Sequence, residues 1–236
     1  MEYIQNGRLL SDDFPVRYAM TLSDIDVTDF GLDEYAILAK QSGFVYRTLS
    51  TAEQVHGTHI ACARPINSQF PKTDGLIGGA GDLLIIRTAD CLPVAFYDAV
   101  HHKTALVHSG WRGTMAKISE CAIWKMKDAF GTQPRDLSVH IGPGIDRESF
   151  EVERDVIDIL HRSFPDMHGV YEKITDGKYH LDLQTVLVRH LVSLGVPEGK
   201  IFVSAHSTYR ETIFHSYRRD KKSSGRSATM VMAEEL

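Results

Sequence analysis

Residues Thr73–Thr114 read TDGLIGGAGDLLIIRTADCLPVAFYDAVHHKTALVHSGWRGT, and the fold is decided here. Leu83–Arg87, Pro93–Tyr97 and Ala105–His108 are apolar runs short enough to be buried strands. Chemically able residues sit at their ends: Asp90 and Cys91 after LLIIRTA, and His108 after KTALV. A glycine-flanked Trp111-Arg112 pair follows at once and opens a helix. A thiolate and an imidazole at neighbouring strand ends are the usual components of a zinc pocket, which needs a third ligand. His56 in QVHGTH is the best candidate for it.

Outward from this stretch, helices and strands mix without strict alternation. The spacing of Met115, Ile118, Ala122, Met126 and Ala129 predicts a helix over Thr114–Phe130, closed by Gly131. Further helices are expected over Asp33–Gln41, Val152–Phe164 and Asp182–Leu194, the last with Asp182 as N-cap. Strands are expected at Val16–Met20, Val45–Leu49, Leu137–Ile141, Ile201–Ser204, Ile213–Tyr217 and Ala228–Met232. TAEQVHGTHIACA reads as a strand interrupted near His56-Gly57, and Pro65–Gly81 as loop. Gly78, Gly79 and Gly81 precede a strand, so they are no dinucleotide fingerprint. The pattern implies an α+β fold over residues 1–236, a single domain with a mixed β-sheet core and flanking helices.

The chain has 236 residues, 43% hydrophobic and 24% charged, enough for a full core. A net charge of −5 without a long basic run argues against nucleic acid as a partner. The one basic cluster, Arg218-Arg219-Asp220-Lys221-Lys222, is short, and reads equally as a solvated turn or an anion contact. There is no signal-peptide pattern and no run of eighteen apolar residues, so no membrane association is expected. Three cysteines without an export signal point to a reducing, cytoplasmic setting rather than a disulfide framework.

In HSGWRGT, Gly110 and its neighbours let the backbone come close to a ligand, and the helix start offers free N–H groups. Arg112 adds a planar fork of donors suited to an anion, or else pairs with a carboxylate. Cys91 stands where the chain turns before Pro93, which suits a ligand or a nucleophile, although a lone cysteine also serves as a small core residue. His59 competes with His56, while His101-His102 reads as a solvated turn. Spacing alone leaves a possible three-ligand zinc site.

The motifs QVHGTH, TDGLI, TADCLPV, ALVHSGWRGT, HIGPGI, HLDL and SYRRD together resemble the YfiH / laccase-domain family over about residues 45–235. That resemblance implies a zinc-dependent purine nucleoside phosphorylase with adenosine deaminase activity, acting on nucleosides and inorganic phosphate. It implies His56, Cys91 and His108 as zinc ligands, with one coordination position left open. Catalytic parts fall to Cys91, His108 and Asp90, the last orienting an imidazole or moving a proton. Gly110, Trp111, Arg112, Arg218 and Arg219 are the implied substrate contacts. A monomer or weak homodimer is expected. Ser149, Ser207 and Leu187 depart from the family pattern, as do residues 14–44, and this bears on the substrate pocket. Competing readings are a copper polyphenol oxidase (the older label), a cysteine hydrolase with Cys91 as nucleophile, and a non-catalytic peptidoglycan-editing factor.

Overall fold

The computed structural model describes residues 1–235. The chain opens with a hairpin of β1 (Glu2–Gln5) and β2 (Arg8–Ser11), then β3 (Arg17–Thr21) and helix α1 (Leu32–Gln41). Glu34 accepts the Gly31 N–H at 3.0 Å, satisfying one of the free donors at the helix start. Four short strands follow: β4 (Thr48–Ala52), β5 (Ile60–Cys62), β6 (Ser68–Phe70) and β7 (Gly75–Gly78). The long central strands are β8 (Asp82–Thr88), β9 (Leu92–Asp98) and β10 (Lys103–Ser109). Next come α2 (Trp111–Met115), α3 (Ile118–Phe130), β11 (Leu137–Ile141), β12 (Glu151–Glu153) and α4 (Arg154–Ser163). The chain closes with β13 (Tyr171–Thr175), β14 (Lys178–Leu181), α5 (Leu183–Ser193), β15 (Ile201–Val203), α6 (Tyr217–Asp220) and β16 (Ser227–Met232).

Two large sheets form the body, ordered β1-β2-β3-β16-β8-β4-β6 and β15-β11-β9-β10-β7-β5; β12, β14 and β13 make a small third sheet. Parallel and antiparallel pairs coexist in both large sheets, as the α+β pattern implied. Side-chain alternation sets the layers. On β8, Leu83 and Ile85 pack toward α1, while Leu84 and Ile86 pack toward the second sheet. On β9, Ala95 and Tyr97 meet that same inter-sheet core, and Val94 and Phe96 pack under α3, α4 and α5. The order is therefore helix, sheet, sheet, helices. Strands buried on both faces explain the unbroken apolar runs.

Several expectations are corrected. Pro65–Gly81 is not all loop, because β6 and β7 lie within it. Glycines hide the strand pattern there, yet Gly75 is required: a Cβ would stand 2.3 Å from Ile60 Cδ1 and 2.8 Å from Val107 Cγ1. The helix over Thr114–Phe130 begins earlier, at Trp111, and breaks at Lys117, whose φ is +61°. Ala129 is exposed and Ile123 takes its place inside. Val152 belongs to β12, and the helix behind it starts at Arg154. The strand of Val45–Leu49 begins three residues later, at Thr48. Ile213–Tyr217 is no strand: Phe214 anchors an irregular loop in the inter-sheet core and Tyr217 begins α6. The hairpins β1–β2 and β13–β14 went unforeseen because β1 and β13 are mostly exposed and carry little apolar period. No helix among the described residues is long and apolar enough to cross a membrane, and all three cysteines are free.

Candidate metal centre

The site forms at one end of the sandwich, where the chain passes between sheets. His56 lies in the crossing from β4 to β5, and Cys91 in the crossing from β8 to β9. His108 is the next-to-last residue of β10, opposite Pro93 on β9. The register thus brings the sulfur and the imidazole to neighbouring strand ends. Residues at both crossings leave the ladder sharply: φ is +60° at His56 and +81° at Asp90. One ligand atom each from His56, Cys91 and His108 lie within 4.8 Å of one another. Two ligands of one tetrahedral zinc stand about 3.6 Å apart, given bonds of about 2.0–2.3 Å. A contraction of at most about 1 Å would complete the set.

A buried carboxylate arranges these ligands. Asp74 immediately precedes β7, which pairs with β10, so its carbonyl accepts the His108 N–H at 2.7 Å. Its carboxylate accepts His108 Nδ1–H at 2.9 Å, leaving Nε2 free to face the other two candidate ligands. The same carboxylate accepts the N–H groups of His56 at 2.9 Å, Gly57 at 2.7 Å and Val55 at 3.2 Å. One side chain therefore fixes the ring of one histidine and the loop of the other. The orienting role placed on Asp90 is corrected on this point. Its two oxygens instead accept the Thr208 hydroxyl at 2.8 Å and the Arg218 N–H at 2.6 Å. Asp90 thereby pins the segment of Thr208–Arg218 to the turn carrying Cys91.

Asp74 was legible only as part of the quoted TDGLI. Nothing along the chain marks it as the partner of a histidine 34 residues away. Gly110 closes the arrangement. A Cβ there would lie 2.8 Å from Cys91 Sγ and 3.2 Å from His56 Cδ2, so only glycine admits both ligands at this spacing.

The charges of the triad are coupled. Burial opposes ionisation of Cys91, but hydrogen bonds from His108 and His56 outweigh it and bring the thiol down to about 6. Burial likewise opposes the His108 cation, yet Asp74 and Cys91 raise it to about 9. Without metal the pair is a thiolate beside an imidazolium near neutral pH. Two nitrogens and a soft sulfur in a preformed cradle suit a metal ion, which would displace the His108 proton.

The triad opens onto a cavity of about 690 Å³. Asp90, Trp111, Arg112 and Arg218 line it. Lys221, part of the basic cluster read as a turn or an anion contact, lines it too, and so do Gln54, Arg87, Phe150, Tyr217 and Arg226, which went unassigned from sequence. Arg112 stacks on the Trp111 ring at 4.4 Å, and Arg218 lies 5.4 Å from the Phe150 ring. Arg219 is corrected: it donates to the carbonyls of Thr208, Tyr209 and Phe214 and to both oxygens of Asp220. All five of its N–H groups are used in holding the loop. Ser149 and Ser207 both donate to Asp146, and Leu187 is buried on α5; none of the three lines the cavity. His59 pairs with Thr73, His101 with Asp98 and His102 with Tyr97, outside the triad.

With this geometry the known proteins that the chain resembles can be placed. A crystal structure of YlmD from Geobacillus stearothermophilus superposes with a TM-score of 0.88 at 26% identity, covering 99% of this chain and 98% of that one. A crystal structure of the Bacillus licheniformis protein YfiH superposes at 0.86 with 25% identity, covering 98% and 97%. In sequence, a purine nucleoside phosphorylase of Bacteroides thetaiotaomicron is 37% identical over 154 residues, 64% of this chain; the match spans 57% of that relative's length. Purine nucleoside phosphorylase YlmD of G. stearothermophilus is 32% identical over 82% of this chain and 75% of its own length. Adenosine deaminase RL5, from an unknown prokaryotic organism, is 30% identical over 85% of this chain and 80% of its own. The family described as multi-copper polyphenol oxidoreductase laccase matches residues 22–234, the three candidate ligands among them, and the chain belongs to that family.

Proposed function

We propose that the protein is a zinc-dependent purine nucleoside enzyme that phosphorolyses nucleosides such as adenosine, inosine, guanosine and methylthioadenosine, and deaminates adenosine. One observation carries this reading: an N₂S triad opens onto a cavity that combines aromatic rings with cationic side chains. Relatives named as purine nucleoside phosphorylases and an adenosine deaminase support it. His56, Cys91 and His108 would hold the zinc, which supplies a Lewis acid at the cavity floor. Three protein ligands with a fourth position open suit a catalytic zinc, while two imidazoles and one thiolate are also the donors of blue-copper centres, so metal content separates zinc from the copper of the family's description.

The side chains around the triad take parts that fit their chemistry. Trp111 and Phe150 offer ring faces against a purine, and the guanidinium groups of Arg112 and Arg218 receive phosphate. In phosphorolysis a phosphate oxygen bonds to ribose C1′ while the bond to the purine nitrogen breaks and its electron pair leaves with the base. Cations beside the incoming dianion hold it in place and offset its charge.

The lowered thiol of Cys91 favours one alternative, a cysteine hydrolase with His108 as base. Metal analysis of protein purified without added metal, with turnover assays on adenosine, inosine and methylthioadenosine plus phosphate, separates the two. About one zinc per chain, phosphorolysis halted by chelators, and loss of zinc and turnover together in Cys91→Ala are expected. Chelator-indifferent turnover stopped by alkylation would establish the hydrolase instead. Several coppers per chain with phenol oxidation would establish the oxidase.

A further inference from the structure

The cavity carries more positive charge than a single phosphate requires. Five of its lining side chains are cations, Arg87, Arg112, Arg218, Lys221 and Arg226, in a chain whose net charge is −5. The one carboxylate among the lining residues, Asp90, already accepts two hydrogen bonds from its own loop neighbours. Among the described residues, none of the five cations forms an ion pair; the arginines that do, such as Arg47, Arg147 and Arg210, lie elsewhere. Like charges gathered without counter-charge destabilise a protein, and an anionic ligand relieves that repulsion.

The cations fall into two groups by the elements that hold them. Arg112 follows His108 at the start of α2, and the Arg218 backbone is tied to Asp90 beside Cys91. These two serve the triad end. Arg87 belongs instead to β8 and Arg226 immediately precedes its partner strand β16, whose Ala228 stands opposite Arg87. Arg87 donates to the Thr28 carbonyl at 2.6 Å. Arg226 donates to the Ser224 and Gly225 carbonyls at 2.9 Å and lies over the Tyr217 ring at 5.6 Å. Carbonyl oxygens orient a guanidinium without neutralising it, so both heads are fixed and still charged. Lys221, just after α6, adds a third positive side chain to the lining of the same cavity.

One phosphate carries at most two negative charges near neutral pH, and Arg112 with Arg218 meets that need. We propose that the second group, Arg87, Lys221 and Arg226, receives the 5′-phosphate of a purine nucleoside monophosphate, so that the cavity takes nucleotides as well as nucleosides. This rests on the nucleoside reading of the site. A phosphate ester at the far end of the ribose and a free phosphate share the same chemistry, and the experiment must tell them apart.

The test is calorimetric titration of the metal-loaded protein, in phosphate-free buffer, with adenosine and with adenosine 5′-monophosphate. The nucleotide is expected to bind at least about tenfold more tightly at low ionic strength, as charge-assisted hydrogen bonds to a dianion imply. The gap narrows as salt is raised. A Lys221→Gln/Arg226→Gln variant brings the ratio of the two affinities toward one. Lys125→Gln, which removes a cation from the exposed face of α3, leaves the ratio unchanged. Should the double variant fail to fold, the salt dependence of the two ligands on the unaltered protein decides. Equal binding of nucleotide and nucleoside overturns the inference, as does an equal effect of Lys125→Gln. So does adenosine binding that inorganic phosphate tightens to the nucleotide's level, since the wall then holds the free anion. Adenosine binding without nucleotide preference overturns this inference alone. Binding of neither ligand overturns the nucleoside reading with it.

Discussion

Replacing Asp74 by alanine tests the centre at the residue that assembles it. The carboxylate is fully buried and accepts four hydrogen bonds: one from His108 Nδ1 and three from the backbone of Val55–Gly57. Their costs on removal differ. His108 is buried, so loss of its charged partner strands a donor, at about 2 kcal/mol. His56 is exposed and its loop lies near solvent, so water replaces Asp74 for those N–H groups, at ~0.5 kcal/mol each. The expected loss of stability is about 3–4 kcal/mol. Urea denaturation of chelator-treated protein reads it without any contribution from metal. Metal affinity, read by competition with a chromophoric chelator, should fall roughly 10–100-fold, the range for losing the partner of a ligating histidine. Asp74→Asn keeps the volume but turns an amide donor toward backbone donors, so it should recover less than half of either loss. A stability change below about 1 kcal/mol together with metal affinity within about twofold of the parent would refute the assignment of Asp74 as organiser.

Three further outcomes follow from the same coordinates. Gly110→Ala places a Cβ 2.8 Å from Cys91 Sγ, so metal affinity should drop about tenfold or more while the melting temperature hardly moves; chelator competition and thermal melting check both. Gly75→Ala drives a methyl against Ile60 and Val107 in the core under α3 and should cost about 1–3 kcal/mol in urea denaturation. Asp98, buried at the end of β9, accepts from Val100 N–H, His101 N–H and His101 Nδ1 at 2.8–3.1 Å. Burial raises its pKa, but the neighbouring Thr132 hydroxyl and the hydrogen bonds from His101 prevail and hold it below the usual carboxylate range. A depressed folded pKa gives stability that is present above about pH 4 and lost as pH falls through the folded value. The stability gap between the parent and Asp98→Asn should therefore be widest above about pH 4 and close on acidification; a constant gap from neutral pH to below about 3 would contradict it.

The central strands were legible because each is buried on both faces, and continuous runs such as Leu83–Ile86 and Val94–Phe96 announce that condition. Leu137–Ile141 and the Asp182-capped helix were equally plain, since the cap and period agree with the packing. Failures came where local pattern and tertiary demand part. The glycines of β7 carry no side chain to show a period, and Lys117 sits at positive φ in the middle of a helical stripe. At the site, His56, Cys91 and His108 could be named from their motifs, but their convergence could not be derived, because 35 and 17 residues separate them along the chain. Asp74, Arg87 and Arg226 were silent for a related reason. Each acts through a strand pairing, β7 on β10 or β16 on β8, that no local window contains.

That dependence on pairing explains why the centre lies where it does. In a two-sheet sandwich most backbone groups are committed to ladders, and their side chains to one of three packed layers. Only where the chain leaves one sheet for the other are residues free to turn inward at the end of the core. Three crossings meet here: β4 to β5 brings His56, β8 to β9 brings Asp90 and Cys91, and β15 to β16 brings Tyr217, Arg218, Lys221 and Arg226. Of the triad, His108 alone stands on a strand, and through Asp74 its ladder position fixes the loop of His56. The candidate ligands are thus shared between loop connections and a strand, with a buried carboxylate as the joint. An ion bound by all three would tie the two crossings to β10, so ligation at the site and the docking of one sheet on the other are coupled.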